Sequence, residues 1–158
     1  MKIAVQTDDF DVGAEIRRIS KNSRIGAISS FVGLVRDVND GAEVGSMTLE
    51  HYPGMTEKAL AAIVGEAQGR WEVLDCTVIH RYGELKPTDQ IVLVVVASGH
   101  RHDAFAACQF LMDYLKTRAP FWKKEQTPEG ARWVEARRGD EDAAARWSAE
   151  DEAARRRR

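Results

Sequence analysis

The chain has 158 residues, 44% hydrophobic and 30% charged, and a formal net charge of −2 at pH 7. Its length makes one domain the default, and a chain of this size buries roughly 70% of its unfolded surface on folding. The balance is globular rather than disordered. It lacks the basic excess of a dedicated nucleic-acid binder. No run reaches the roughly 18 apolar residues that a membrane span requires. The opening MKIAVQTDDF turns acidic at once and gives no signal-peptide pattern, so a cytoplasmic location is expected.

In chain order, residues 2–6 alternate as a short strand. Val12, Ile16 and Ile19 mark a helix over 11–20. Residues 26–35 (GAISSFVGLV) are β-rich, with Gly33 as a possible bulge, and Asn39-Asp40-Gly41 signals a turn. Residues 45–52 alternate as a strand that Pro53-Gly54 breaks. Thr56 is expected to cap a helix running to about Arg70, with Leu60, Ile63, Val64 and Ala67 on one face. Strands follow at 75–82 and 90–98, joined by a turn over Gly83–Asp89. The second is continuously apolar and is expected to be central and covered on both faces.

Phe105, Cys108, Met112 and Leu115 predict a core-facing stripe on a helix from Arg101 to Arg118, which Pro120 ends. Residues 121–126 and 131–136 read as short strands around a Thr127–Gly130 turn. From Asp140 onward the chain is charge-dense and Ala-rich and closes in four arginines, as expected of a surface helix fraying into a partly disordered tail. The order β-α-β-β-α-β-β-α-β-β predicts an α+β fold with helices on a largely antiparallel or mixed sheet. Residues 1–139 read as a single domain and 140–158 as its charged tail.

The densest chemistry lies in DYLKTRAPFWKKE, Asp113–Glu125, where Lys116, Arg118, Lys123 and Lys124 interleave with Tyr114, Phe121 and Trp122. One reading is a cationic pocket with apolar walls, where lysines lose hydration and become usable as bases or nucleophiles. The other is a helix end favouring cations, followed by edge-strand charges. Ser98-Gly99-His100-Arg101-His102 opens a helix after a buried strand, which suits either an anion or an ordinary polar turn. Arg36 and Arg137 stand at strand ends. Cys76 and Cys108 are far apart and outside any C-x-x-C pair, and the four histidines lack metal-ligand spacing, so neither a disulfide framework nor a metal site is expected. No Walker loop, G-x-G-x-x-G or G-x-S-x-G occurs.

His100 and Lys116 sit near opposite ends of one predicted helix, about 24 Å apart at 1.5 Å per residue. If both clusters serve one small substrate, the site is shared across a subunit interface, with His100 and Arg101 from the neighbour.

The stretches TLEHYPGMTEKAL (Thr48–Leu60), VIHRYGEL (Val78–Leu85), His100-Arg101, MDYLKTRAPFWKKE (Met112–Glu125) and GARWVEAR (Gly130–Arg137) resemble the catalytic large subunit of molybdopterin synthase. The similarity spans roughly residues 2 to 147. It implies an α/β hammerhead-like fold with an additional small antiparallel subdomain. It implies that cyclic pyranopterin monophosphate (precursor Z) receives two sulfurs as a dithiolene. The sulfur would come from the thiocarboxylated C-terminal glycine of a small ubiquitin-like partner. A central homodimer within a heterotetramer is implied too, and no cofactor. The family's site positions correspond to Arg36, His100, Arg101, Lys116, Lys123 and Arg137, with Lys116 and Lys123 catalytic; Lys124 joins the substrate-binding candidates from the same cluster. Two other readings remain: a scaffold that only docks a ubiquitin-like partner, and a nucleic-acid binder acting through the arginine tail.

Overall fold

A computed structural model describes residues 1–39, 41–134 and 138–157. The elements run β1 (Lys2–Gln6), α1 (Val12–Ile19), β2 (Ala27–Leu34), β3 (Val38–Asn39), β4 (Ala42–Glu43), β5 (Ser46–His51), α2 (Met55–Arg70), β6 (Asp75–Arg81), β7 (Gly83–Leu85), β8 (Gln90–Ser98), α3 (Arg101–Arg118), β9 (Phe121–Thr127), β10 (Gly130–Val134) and α4 (Arg138–Arg156). The architecture is α+β. A mixed sheet has the order β1-β6-β8-β2, with only the β1–β6 pair parallel. A second, antiparallel sheet has the order β10-β9-β5-β7, and β3–β4 is a short hairpin.

β8 organises the core because its two faces serve different layers. Val92, Val94 and Val96 face α2 and α3, with Val78 of β6 beside them; Leu93, Val95 and Ala97 face Ile19 and the apolar side of α1. Period-two alternation of an all-apolar strand sends alternate residues to opposite covered faces, as the sequence predicts. A third cluster, Val35, Met47, Leu49 and Leu85, lies under the antiparallel sheet.

The β2–β8 register shifts between Gly33 and Leu34, so the expected bulge is present and turns the chain toward Arg36. Gly26 is required where β2 begins, because a Cβ there would lie 2.3 Å from the carbonyl oxygen of Gly99.

Four local expectations change. Thr56 does not cap α2. Gly54, at φ +84°, occupies the cap position, and its N–H donates to Glu57 Oε2 at 2.7 Å. Thr56 is buried one turn in, donating to the carbonyl of Tyr52. Phe105 is not in the core stripe but 66% exposed; the buried face of α3 is centred on Ala104, Ala107, Cys108, Leu111 and Leu115. The Gly83–Asp89 turn contains β7, a three-residue strand paired with β5. The expected surface helix at the C-terminus starts at Arg138 and buries Ala144 and Trp147 against α2 and α3. Among the described residues, no helix is long and apolar enough to cross a membrane.

Candidate active site

Three elements converge where the two sheets meet. β2 leads into Val35, which is buried and locked by backbone hydrogen bonds with Thr88 and Asp89, and Arg36 follows directly. The last turn of α3 carries Lys116. Ala119-Pro120 then ends the helix, and β9 starts at Phe121. Residues at i and i+2 of a strand share a face. Phe121, Lys123 and Glu125 accordingly point inward, and Trp122, Lys124 and Gln126 outward.

The result is a cavity of about 560 Å³ lined by Arg36, Lys116 and Lys123 on the cationic side. Its apolar walls include Val35, Met47, Ile91, Leu115 and Phe121. Of the two readings of the Asp113–Glu125 cluster, the structure realises the pocket arrangement for Lys116 and Lys123. Arg118 is committed elsewhere, donating to Glu66 at 3.0 Å and lying 3.7 Å over the Tyr114 ring. Lys124 lies on the opposite face of β9, 5.7 Å from the Trp133 ring centre, outside that cavity.

His100 and Arg101 are not brought to this cavity. His100 is the cap residue of α3 and both side chains are exposed, a full helix length from Lys116. The α3 N-terminus is also pinned by acidic groups: Gly99 N–H donates to Glu72 Oε1 at 3.1 Å, and Glu72 N–H to Asp103 Oδ2 at 2.9 Å. Arg137 lies outside the described residues.

The sequence reading passed over a polar network on the cavity wall. Arg36 Nη2 donates to Asn39 Oδ1 at 3.2 Å, and Asn39 Nδ2 donates to Glu125 Oε1 at 2.5 Å. Arg132 grips the other carboxylate oxygen through Nε and Nη2, at 3.2 and 3.0 Å, and Nη2 also donates to the Asn39 carbonyl at 2.8 Å. Glu125 is only 3% exposed, so its charge is tolerated because Arg132 and Asn39 satisfy it. The network ties the β3–β4 hairpin and Arg36 to β9 and β10. No local sequence pattern announces it, because its members are dispersed over 36–132 and meet only through the fold.

His80 was also passed over. It lies on β6 in phase with Cys76 and Val78, and is 4% exposed at the cavity wall. Its ring stacks on Phe121, 3.7 Å between centroids and 17° between planes. Burial pushes its pKa down from the ordinary 6.5 to about 3, against the hydrogen bond to the Arg81 carbonyl; the charges of Lys123, Lys116 and His51 push the same way. Period-two phasing was the available signal, since it puts His80 on the same inward face as its apolar neighbours. The thiols are inert by contrast: burial raises Cys76 to about 12 and also raises Cys108. Among the described residues, no group of three or more His, Cys, Asp or Glu could hold a metal ion.

The chain matches the MoaE protein family over residues 5–118. It is 65% identical over 146 residues to a molybdopterin synthase catalytic subunit from Ralstonia nicotianae, covering 92% of this chain and 83% of the relative. A solved molybdopterin biosynthesis MoaE protein from Burkholderia ambifaria superposes with a TM-score of 0.80 at 56% identity, covering 93% of this chain and 97% of that one. The fold is also shared with a chain from the complex of subunits 1 and 2 of molybdopterin-converting factor from Helicobacter pylori. That match has a TM-score of 0.70 at 17% identity, covering 85% of this chain and 91% of that one. Motifs and fold thus agree with the family match, and the chain belongs to the MoaE family of molybdopterin synthase catalytic subunits.

Proposed function

We propose that the cavity bounded by Arg36, Lys116 and Lys123 is where this catalytic subunit builds the molybdopterin dithiolene. The observation that carries the reading is the convergence of three cations, from the segment after β2, from α3 and from β9, on one apolar-walled cavity. Precursor Z carries a phosphate, and the sulfur donor is a thiocarboxylate at the C-terminus of a ubiquitin-like subunit. Both are anions, and cations in a poorly hydrated cavity stabilise them and the negative charge that develops during transfer. The sulfur is imported, so the chemistry does not require the buried thiols Cys76 and Cys108.

Lys116, at the mouth, is assigned proton transfer or a transient covalent link to the substrate. Lys123, deeper and on the same face as Phe121, is assigned the hold on the thiocarboxylate tail or the intermediate. Arg36, braced by Asn39, grips the phosphate. His100 and Arg101 of a second copy complete the grip, since the length of α3 keeps this chain's own pair away from its own lysines. Partner capture follows the Helicobacter pylori complex of two subunits, whose chain shares this fold. Residues 1–139 are proposed as the catalytic unit.

The test supplies the thiocarboxylated small subunit and precursor Z and measures dithiolene product. Wild-type chain should turn over, and Lys116→Ala should lose roughly 10²- to 10⁴-fold in rate while still binding the partner, the span typical of a lost acid–base group. Full turnover by Lys116→Ala would remove it from the chemistry. Partner binding without any product from wild-type chain would favour the docking scaffold.

A further inference from the structure

We propose that Asp140 is the general base of this cavity, taking the proton of the water that splits the partner's tail from the sulfur it has delivered. The inference rests on the sulfur-transfer reading of the cavity and deepens it.

The chemistry requires such a base. A thiocarboxylate delivers its sulfur with the acyl carbon still attached, so bonding to a substrate carbon leaves a thioester between tail and substrate. Water must then break it. The water oxygen bonds to the acyl carbon, the C–S bond breaks and its electron pair stays on sulfur. One water proton goes to the base as the C–O bond forms. The other goes to the departing thiolate, and the tail leaves as a carboxylate.

The ionisable side chains lining the cavity are Arg36, His80, Lys116, Lys123, Glu125 and Asp140. A guanidinium or an ammonium has no lone pair to offer. Glu125 is buried and both of its oxygens are held, Oε1 by Asn39 and Oε2 by Arg132. His80 would have to become a cation, against its burial and the charges of Lys123, Lys116 and His51, which already push its pKa down to about 3. Asp140 is half-buried and makes no hydrogen bond or ion pair with the described residues. It takes up a proton by losing charge, on a wall that already carries three cations.

Its place on α4 sets it apart from an ordinary helix-start acid. Asp140 and Glu141 both stand in the first turn, where the helix dipole favours acids. Glu141 is exposed and outside the cavity. Asp140, by contrast, is followed at i+4 and i+7 by Ala144 and Trp147, the two residues that α4 buries in the core. That spacing puts Asp140 on the inward stripe of the helix, facing the protein instead of solvent.

The experiment compares Asp140→Asn, which keeps the shape and removes the base, with Glu141→Gln, which removes the other acid of the same turn. Each full-length chain is mixed with thiocarboxylated partner and precursor Z in a single turnover. Dithiolene is measured, and intact partner is weighed by mass spectrometry. Asp140→Asn should slow dithiolene formation by roughly 10²-fold or more, the span of a lost general base. Partner carrying covalently attached substrate should accumulate meanwhile, and hydroxylamine, a nucleophile that needs no base, should discharge it. Glu141→Gln should match wild type in both readouts.

Dithiolene formation by Asp140→Asn within threefold of wild type would overturn the proposal and leave the sulfur-transfer reading standing. So would a slowed reaction without the accumulated adduct, which marks a structural role. Equal losses in Glu141→Gln would assign the effect to the helix start and overturn it as well. Wild-type chain that forms neither adduct nor dithiolene would overturn the sulfur-transfer reading and the base together.

Discussion

At the scale of single residues, His80 links the cavity to stability. Its proton affinity in the folded chain is far below that of an exposed histidine, so the unfolded chain binds the extra proton as pH falls. The sign is therefore fixed: this contribution is complete above the unfolded value of 6.5 and is lost as pH drops toward about 3. Urea unfolding of wild type and His80→Phe at pH 7 and pH 5 should show the wild type's relative stability falling by about 2 kcal/mol across that interval. Parallel losses in the two proteins would mean that His80 is not held neutral. The lysines were visible in the sequence because Lys116 and Lys123 sit within eight residues of each other. His80 and the Arg36–Asn39–Glu125–Arg132 network were not, because burial and partner geometry give them their properties.

At the scale of elements, periodicity carried most of the fold. The all-apolar β8 could only be a strand covered on both sides, and the 3.6-residue repeat placed α2 and α3. The failures have physical causes. Phe105 drew the α3 stripe toward itself by size, whereas the helix packs through Ala104 and Ala107, whose small side chains admit close approach to the sheet. β7 is too short to announce itself and exists because β5 offers it an edge. In α4 the charge density concealed Trp147, whose ring meets Trp71 and Phe110 edge-on and whose Nε1 donates to Asp113 at 2.7 Å. Asp113 lies one turn before Lys116, so α4 braces the end of α3 that carries the lysine. Replacing Trp147 with Ala should destabilise the chain by about 3–5 kcal/mol in urea unfolding, the range for a buried tryptophan. A loss under about 1 kcal/mol would place α4 outside the cooperative core.

At the scale of the whole molecule, the proposed function makes the cavity half of a site. Its cations come from the segment just after β2, from α3 and from β9 of one chain. His100 and Arg101 stand at the far end of α3, where symmetry can deliver them to a second copy. Helix length alone says that, if both clusters serve one substrate, they do so from two copies; the family resemblance joined the clusters, and the fold keeps α3 unbroken from Arg101 to Arg118. Subunit complementation tests the shared site most directly. Lys116→Ala and His100→Ala chains, each inactive alone, are mixed under exchange and supplied with precursor Z and thiocarboxylated partner. A mixed dimer holds one doubly damaged site and one intact site, so dithiolene formation should recover to about a quarter of wild type on random pairing. If His100 served the lysines of its own chain, every site would stay damaged, and a mixture as inactive as its parents would contradict the account.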